Sequence, residues 1–196
     1  MAKDKGKPVA VTGLGMITSL GIGVAENWRR LTAGDSGIHR ITRFAIDGLR
    51  TTIAGSVDFM GDTLYTIPTH SLVMADRAIA EALAAAGMLW QDFPGELFLA
   101  APPVEHDWGS RHFLSARLDC GEKSPYSPGR KLAPAKPELH PFYEDFLNGT
   151  LAERMAEKYR MRGSPITLTT ACASGATTIQ LGVEAIRRGE APIALA

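Results

Sequence analysis

The 196-residue chain reads as an α/β fold, and three observations carry that reading. Short apolar runs with the character of buried strands alternate with helical patterns along most of its length, which predicts mostly parallel strands with helices on both faces. The last helix carries no charged residue between Gly175 and Val183, and a helix apolar all round is expected to be buried on all sides. Just before it, a β-type run, Pro165-Ile166-Thr167-Leu168-Thr169, enters the small-residue turn Ala171-Cys172-Ala173-Ser174-Gly175.

In chain order, residues 9–12 are short, β-branched and ended by glycine, which predicts a buried strand. The following Gly13-Leu14-Gly15-Met16-Ile17-Thr18 lacks the third glycine of a dinucleotide loop. No strand with a terminal acid follows at the usual distance. Its glycines are expected to permit a tight turn with positive φ. Residues 23–32 predict a helix with Val24, Trp28 and Leu31 on the apolar face and Glu26, Arg29 and Arg30 opposite, stopped at Gly34. Residues 50–57 give a partly polar strand. From about Ser71, the recurrence of Leu72, Ala75, Ile79, Leu83 and Ala86 predicts a helix ended by Gly87. Residues 96–101 give another buried strand.

Regularity then breaks. Residues 102–141 hold seven of the 12 prolines together with His106, His112 and His140, a composition that predicts a long loop. The histidine spacing fits no common metal site. Residues 142–159 predict a helix with a core stripe of Phe142, Phe146, Leu151, Met155 and Tyr159. Lys158, Arg160 and Arg162 follow as a small basic cluster suited to the negative end of a helix. The last helix, residues 175–188, ends at Gly189 with Arg187 and Arg188 in its final turn. Residues 192–196 begin a strand.

Cys172 is thus placed where a strand stops and a helix begins. Unpaired N–H groups and the positive dipole end of a helix N-terminus favour a thiolate, and small neighbours (Ala171, Ala173, Ser174, Gly175) leave room for a substrate to approach. Position alone leaves two readings open, a nucleophile and a small buried packing residue.

Bulk properties narrow the class. Lys and Arg number 21 against 21 Asp and Glu, so no global basic field points to nucleic acid or a membrane surface. Hydrophobic residues make up 45% of the chain, which argues against disorder. The charged start, Met1-Ala2-Lys3-Asp4-Lys5-Gly6-Lys7, lacks the apolar core of a signal peptide, and no run approaches the roughly 20 apolar residues of a membrane span. Two cysteines, Cys120 and Cys172, make neither a metal site nor a disulfide framework, so the expectation is a reducing cytoplasm.

The pattern Gly163-x4-Leu168-x2-Ala171-Cys172-Ala173-Ser174-Gly175-x3-Ile179 resembles the active-site signature of the β-ketoacyl-acyl carrier protein synthases, condensing enzymes of the thiolase superfamily. Residues 9–21 are similar to the first strand and loop of that family, and Gly34-Asp35-Ser36-Gly37-Ile38, Ile41-Thr42-Arg43-Phe44 and Ile53-Ala54-Gly55-Ser56-Val57 match in order. The resemblance is to the synthase II type and covers its N-terminal half. It departs from the family at Thr169, where an acidic residue is common, and at Pro102-Pro103-Val104, where a glycine-rich turn is usual.

The resemblance implies a thiolase-like fold, α-β-α-β-α layers in the full family, with residues 1–196 as the N-terminal domain stopping within a core strand. It implies decarboxylative Claisen condensation of acyl- and malonyl-acyl carrier protein in fatty acid elongation. Cys172 would be the acyl-accepting nucleophile and its backbone N–H part of an oxyanion hole, with no cofactor or metal. It further implies acyl carrier protein as partner, and a homodimer. The family's paired histidines follow the cysteine, whereas His39, His70, His106, His112 and His140 all precede Cys172, so none is assigned. Two alternatives stand beside this: a half-protein unable to condense, acting at most as a dimerising or acyl-binding module, and a Cys–His hydrolase using one of the five upstream histidines.

Overall fold

The computed structural model describes residues 6–42, 44–57, 69–88, 93–101, 137, 144 and 147–196. The helical start at Phe142 and Phe146, Cys120, and His106, His112 and His140 lie outside the described residues, as does nearly all of the proline-rich stretch. The chain divides into two compact units: residues 1–9, 65–72 and 91–196, and residues 10–64 and 73–90.

The first unit is built on a three-stranded parallel sheet in the order β6-β5-β7. Its strands are β5 (Glu96–Ala100), β6 (Ile166–Leu168) and β7 (Ala194–Leu195). Leu97 and Phe98 point to opposite faces of β5, and both are buried, so the central strand is covered on both sides. Two helices pack against β5: α3 (Thr150–Lys158), which leads from β5 to β6, and α4 (Ser174–Arg188), which leads from β6 to β7. Gly182 lets α4 approach closely, since a Cβ there would lie 3.3 Å from the Ala194 Cβ and 3.7 Å from the Phe98 ring.

The stripe expected on α3 is observed at Leu151, Met155 and Tyr159, all buried. The helix begins at Thr150, however, because residues 147–149 form a bend and turn at Asn148-Gly149. The buried Thr150 hydroxyl donates back to the Glu144 carbonyl. Helix α4 ends as expected at Gly189, which is left-handed at φ 75°, with the Glu190 N–H donating to the Ala185 carbonyl.

The second unit pairs two small antiparallel ribbons with helices. Strands β1 (Ile17–Thr18) and β2 (Gly21–Ile22) form one ribbon, and β3 (His39–Arg40) and β4 (Ile53–Ala54) the other. Helix α1 spans Val24–Thr32, and α2 spans Thr69–Ala85, contributing Val73 onward to this unit. Ile79 and Leu83 of α2 are buried as its periodicity predicts, and Gly87 ends the helix at φ 68°.

Three expectations fail here. Residues 9–12 form no strand, and Val11 is 77% exposed; among the described residues no neighbour offers this segment a ladder, so its apolar character alone does not fix it. Gly13 and Gly15 do not adopt positive φ; they lie flush against α2 instead. A Cβ on Gly13 would sit 2.0 Å from the Ala82 carbonyl oxygen, and one on Gly15 1.8 Å from that of Ala78. Helix α1 presents Trp28 and Leu31 to solvent, and the residue it buries is Asn27. The Asn27 amide donates to the Gly21 and Gly23 carbonyls and its oxygen accepts from the Thr18 hydroxyl, so a polar network replaces the predicted apolar seam. The Glu81 carboxylate accepts from the Met16 and Val24 N–H groups, which satisfies a donor at the start of α1.

Candidate active site

The site is the junction between β6 and α4. Strand β6 is pinned to the central strand at Phe98–Ile166, Leu99–Thr167 and Ala100–Leu168, and the Ala101 N–H extends the ladder to the Leu168 carbonyl. After Thr170 the chain makes a single 3₁₀ turn, Ala171–Ala173, and passes directly into α4 at Ser174. The tight turn leaves Cys172 at the N-terminal approach to a 15-residue helix.

Cys172 is a free and exposed thiol. Among the described residues of this chain nothing buries the sulfur as a packing residue would be buried. Ala171, Ala173 and Gly175 are exposed beside it, and a Cβ built on Gly175 would meet nothing within 4 Å, so the approach to the sulfur is open on that side.

Ala171 has φ 52°, a left-handed conformation that a Cβ disfavours by roughly 1–2 kcal/mol. Only one other described non-glycine residue, Arg160, shares it. Ser174 is buried under this turn rather than open beside the sulfur, as its small size had suggested. Its hydroxyl accepts the Thr170 N–H at 2.8 Å and donates to the Ala171 carbonyl at 2.8 Å, with the Thr170 hydroxyl 3.4 Å away. Two further hydroxyls fasten the first turns of α4: Thr177 donates to the Ala173 carbonyl, and the buried Thr178 donates to that of Gly175.

Burial of α4 on all sides is not observed. Ser174, Thr178, Gly182 and Ala185 form one buried face, while Ala176, Ile179 and Gln180 are exposed, Ile179 to 58%. The absence of charge on the outer face reflects no contact made by the described residues of this chain.

Of the histidines, His39 uses its ring locally, with Nδ1 3.1 Å from the Gly37 carbonyl and Nε2 3.1 Å from the Ser56 hydroxyl. His70 is buried in the first unit. Among the described residues no group of His, Cys, Asp and Glu is arranged to hold a metal ion, and no helix is long and apolar enough to cross a membrane.

A model of the N-terminal domain of beta-ketoacyl synthases matches residues 6–196. The chain belongs to the beta-ketoacyl synthase family. Among curated relatives, a provisionally named polyketide beta-ketoacyl synthase 1 of Streptomyces cyaneus is 30% identical over 96% of this chain and 45% of its own length. The 3-oxoacyl-[acyl-carrier-protein] synthase 2 of Coxiella burnetii is 27% identical over 96% of this chain and 45% of its own. A solved ketosynthase, in complex with its type II polyketide acyl-carrier protein and bound to a hexaketide, superposes with a TM-score of 0.65 at 26% identity, covering 94% of this chain and 43% of that one. The fold is thus that of the thiolase-like ketosynthases, and the chain spans about 45% of the length of the curated relatives it matches. The placement of Cys172 between a strand and a helix was legible in the sequence. Ser174 as a buried fastener was not, because a serine in a small-residue turn carries no sign of which way its hydroxyl faces.

Proposed function

We propose that Cys172 is the acyl-accepting nucleophile of a condensing enzyme acting on carrier-protein thioesters. The observation that carries this reading is the exposed thiol in a strained, hydroxyl-fastened turn between β6 and α4. The sulfur attacks the carbonyl carbon of an acyl thioester, and the carrier thiol leaves with the proton. Malonyl-carrier protein loses carbon dioxide, the resulting carbanion attacks the acyl carbon on Cys172, and the cysteine thiolate leaves. The product is a β-ketoacyl thioester on the carrier. A thioester suits both halves of this sequence, because it remains as reactive towards carbon as the one that formed it. The backbone N–H of Cys172 serves as one donor to the developing oxyanion.

Relatives named as 3-oxoacyl-[acyl-carrier-protein] synthase and as polyketide beta-ketoacyl synthase are similar to this chain to nearly the same degree. Elongation of a fatty acyl chain is the reading we favour, with a polyketide intermediate as the alternative acyl group. The partner is an acyl carrier protein, and the assembly a homodimer.

The five histidines all precede Cys172. The 196 residues alone accept an acyl group but do not condense it. Incubation with acyl- and malonyl-carrier protein, followed by intact-protein mass spectrometry and product analysis, tests both statements. The acyl mass is expected on Cys172 and absent in Cys172→Ala. No labelling of Cys172 overturns the nucleophile assignment, β-ketoacyl product at enzyme-like rates overturns the half-competence, and labelling followed by rapid release of free acid favours a hydrolase.

A further inference from the structure

The geometry points to Ser174 as the positioning residue that holds the Ala171 turn in its left-handed conformation and thereby aims the Cys172 sulfur. The inference rests on the nucleophile reading above and adds a residue to it. Ala171 lies in a region that alanine rarely visits, so something must hold it there. No side chain of Ala171 can do so. Its own carbonyl, however, accepts the Ser174 hydroxyl at 2.8 Å.

The Ser174 hydroxyl oxygen also accepts the Thr170 N–H at 2.8 Å. Ser174 therefore ties the peptide group that follows the strained residue to the one that precedes Thr170, as donor to the first and acceptor from the second. With its proton committed to the Ala171 carbonyl, the 3.4 Å contact with the Thr170 hydroxyl leaves Thr170 as the donor in that pair. The Ser174 side chain is buried, while Thr170, Ala171 and the cysteine that the clamp frames are exposed. The backbone adds two bonds: the Ser174 N–H also donates to the Ala171 carbonyl, and the Ala173 N–H donates to the Thr170 carbonyl at a long 3.3 Å. Loss of the hydroxyl removes the acceptor of the Thr170 N–H and one of the two donors to the Ala171 carbonyl and lets the turn relax, which moves the sulfur relative to an incoming carbonyl. A misplacement of about 1 Å at a reacting centre can cost about a hundredfold.

The test compares Ser174→Ala, Ser174→Thr, Ala171→Gly and the Ala171→Gly/Ser174→Ala double variant in the full chain. Three readouts are used: acyl transfer from octanoyl N-acetylcysteamine thioester to Cys172, alkylation by iodoacetamide, and amide hydrogen exchange at Thr170. Circular dichroism melts confirm that each variant is folded. Ser174→Ala is expected to slow acyl transfer about tenfold or more, towards that hundredfold. Alkylation by the small, orientation-tolerant iodoacetamide should change by less than about twofold, and the Thr170 amide should exchange faster. Ser174→Thr restores the hydroxyl and the rate. Glycine carries no penalty at positive φ, so Ser174→Ala should cost markedly less in the Ala171→Gly background.

Equal losses in the two backgrounds, or an unchanged transfer rate in Ser174→Ala, overturn the positioning role and leave the nucleophile reading intact. If the unaltered chain accepts no acyl group, the nucleophile reading falls instead. The clamp is then judged by exchange alone: faster Thr170 exchange in Ser174→Ala but not in Ser174→Thr sustains it, and unchanged exchange overturns it. Should Ser174→Ala fail to fold, Ser174→Thr and Ala171→Gly decide: an acylation-competent Ser174→Thr with protected Thr170 sustains the clamp, and a folded Ser174→Thr with an unprotected amide overturns it.

Discussion

Among the described residues two non-glycines adopt positive φ, and their surroundings differ in kind. Arg160 follows the end of α3, where the Met161 N–H donates to the Ala156 carbonyl in a helix-terminating arrangement usually given to glycine. Nothing else about its position requires a Cβ, so Arg160→Gly is expected to raise stability by about 1 kcal/mol, read as a higher Tm, with no effect on Cys172 labelling. Ala171 instead gives its carbonyl to a buried hydroxyl and lies beside an exposed thiol, the proposed nucleophile. At the other end of α4, Arg188 donates to both oxygens of Glu190 and holds that carboxyl below the usual carboxylate range. A lowered folded value means that the pair's contribution is present above the unfolded value, near 4.5, and is lost as pH falls through the folded one. Carbon-detected titration should place the Glu190 midpoint below that of its Arg188→Ala variant. Both side chains are about half exposed, so the difference should shrink in high salt.

At the scale of elements, what the sequence made legible was what local pattern controls. The buried stripe of α3, the Ile79–Leu83 face of α2, the terminal glycines 87 and 189, and strands β5 and β6 all follow from periodicity and backbone preference over a few residues. What escaped was set by partners distant in sequence. Asn27 is inward because Thr18, Gly21 and Gly23 supply its bonds, and an apolar-periodicity argument had no means of choosing it over Trp28. Gly13 and Gly15 were given a turn role when their function is close approach to α2. Gly15→Ala is accordingly expected to destabilise the chain by at least about 2 kcal/mol in chemical denaturation, since the new methyl meets backbone that cannot rotate away. Glu81→Ala should cost about 2 kcal/mol by leaving the Met16 and Val24 N–H groups without their charged acceptor, with Glu81→Gln intermediate.

For the molecule as a whole, the described residues leave Trp28, Leu31, Ile38, Phe44 and Ile179 more than half exposed. An outer face of α4 without charge and without cover is the main departure from what the sequence predicted, and its cause lies in scale: periodicity reports that a surface is suited to burial, not what buries it. The chain matches its curated relatives over about 45% of their length, so the comparison proteins contain much structure that has no counterpart here. Dye binding follows from this exposure. Anilinonaphthalene sulfonate fluorescence is expected to rise on mixing with the folded chain, and Ile179→Glu together with Trp28→Glu should lower the signal without changing the circular dichroism melt.

The pairing of β6 with β5 has one more consequence. It rests on three aligned residue pairs, and the turn bearing the thiol begins three residues after the last of them. Sliding that alignment by a single step would carry the sulfur about 3.3 Å along the sheet and turn every side chain of the strand to the opposite face. So short a ladder is nonetheless the ruler against which the proposed nucleophile is measured. Alterations at Phe98 or Leu99 would therefore be felt first as a misplaced thiol and only afterwards as a loss of fold.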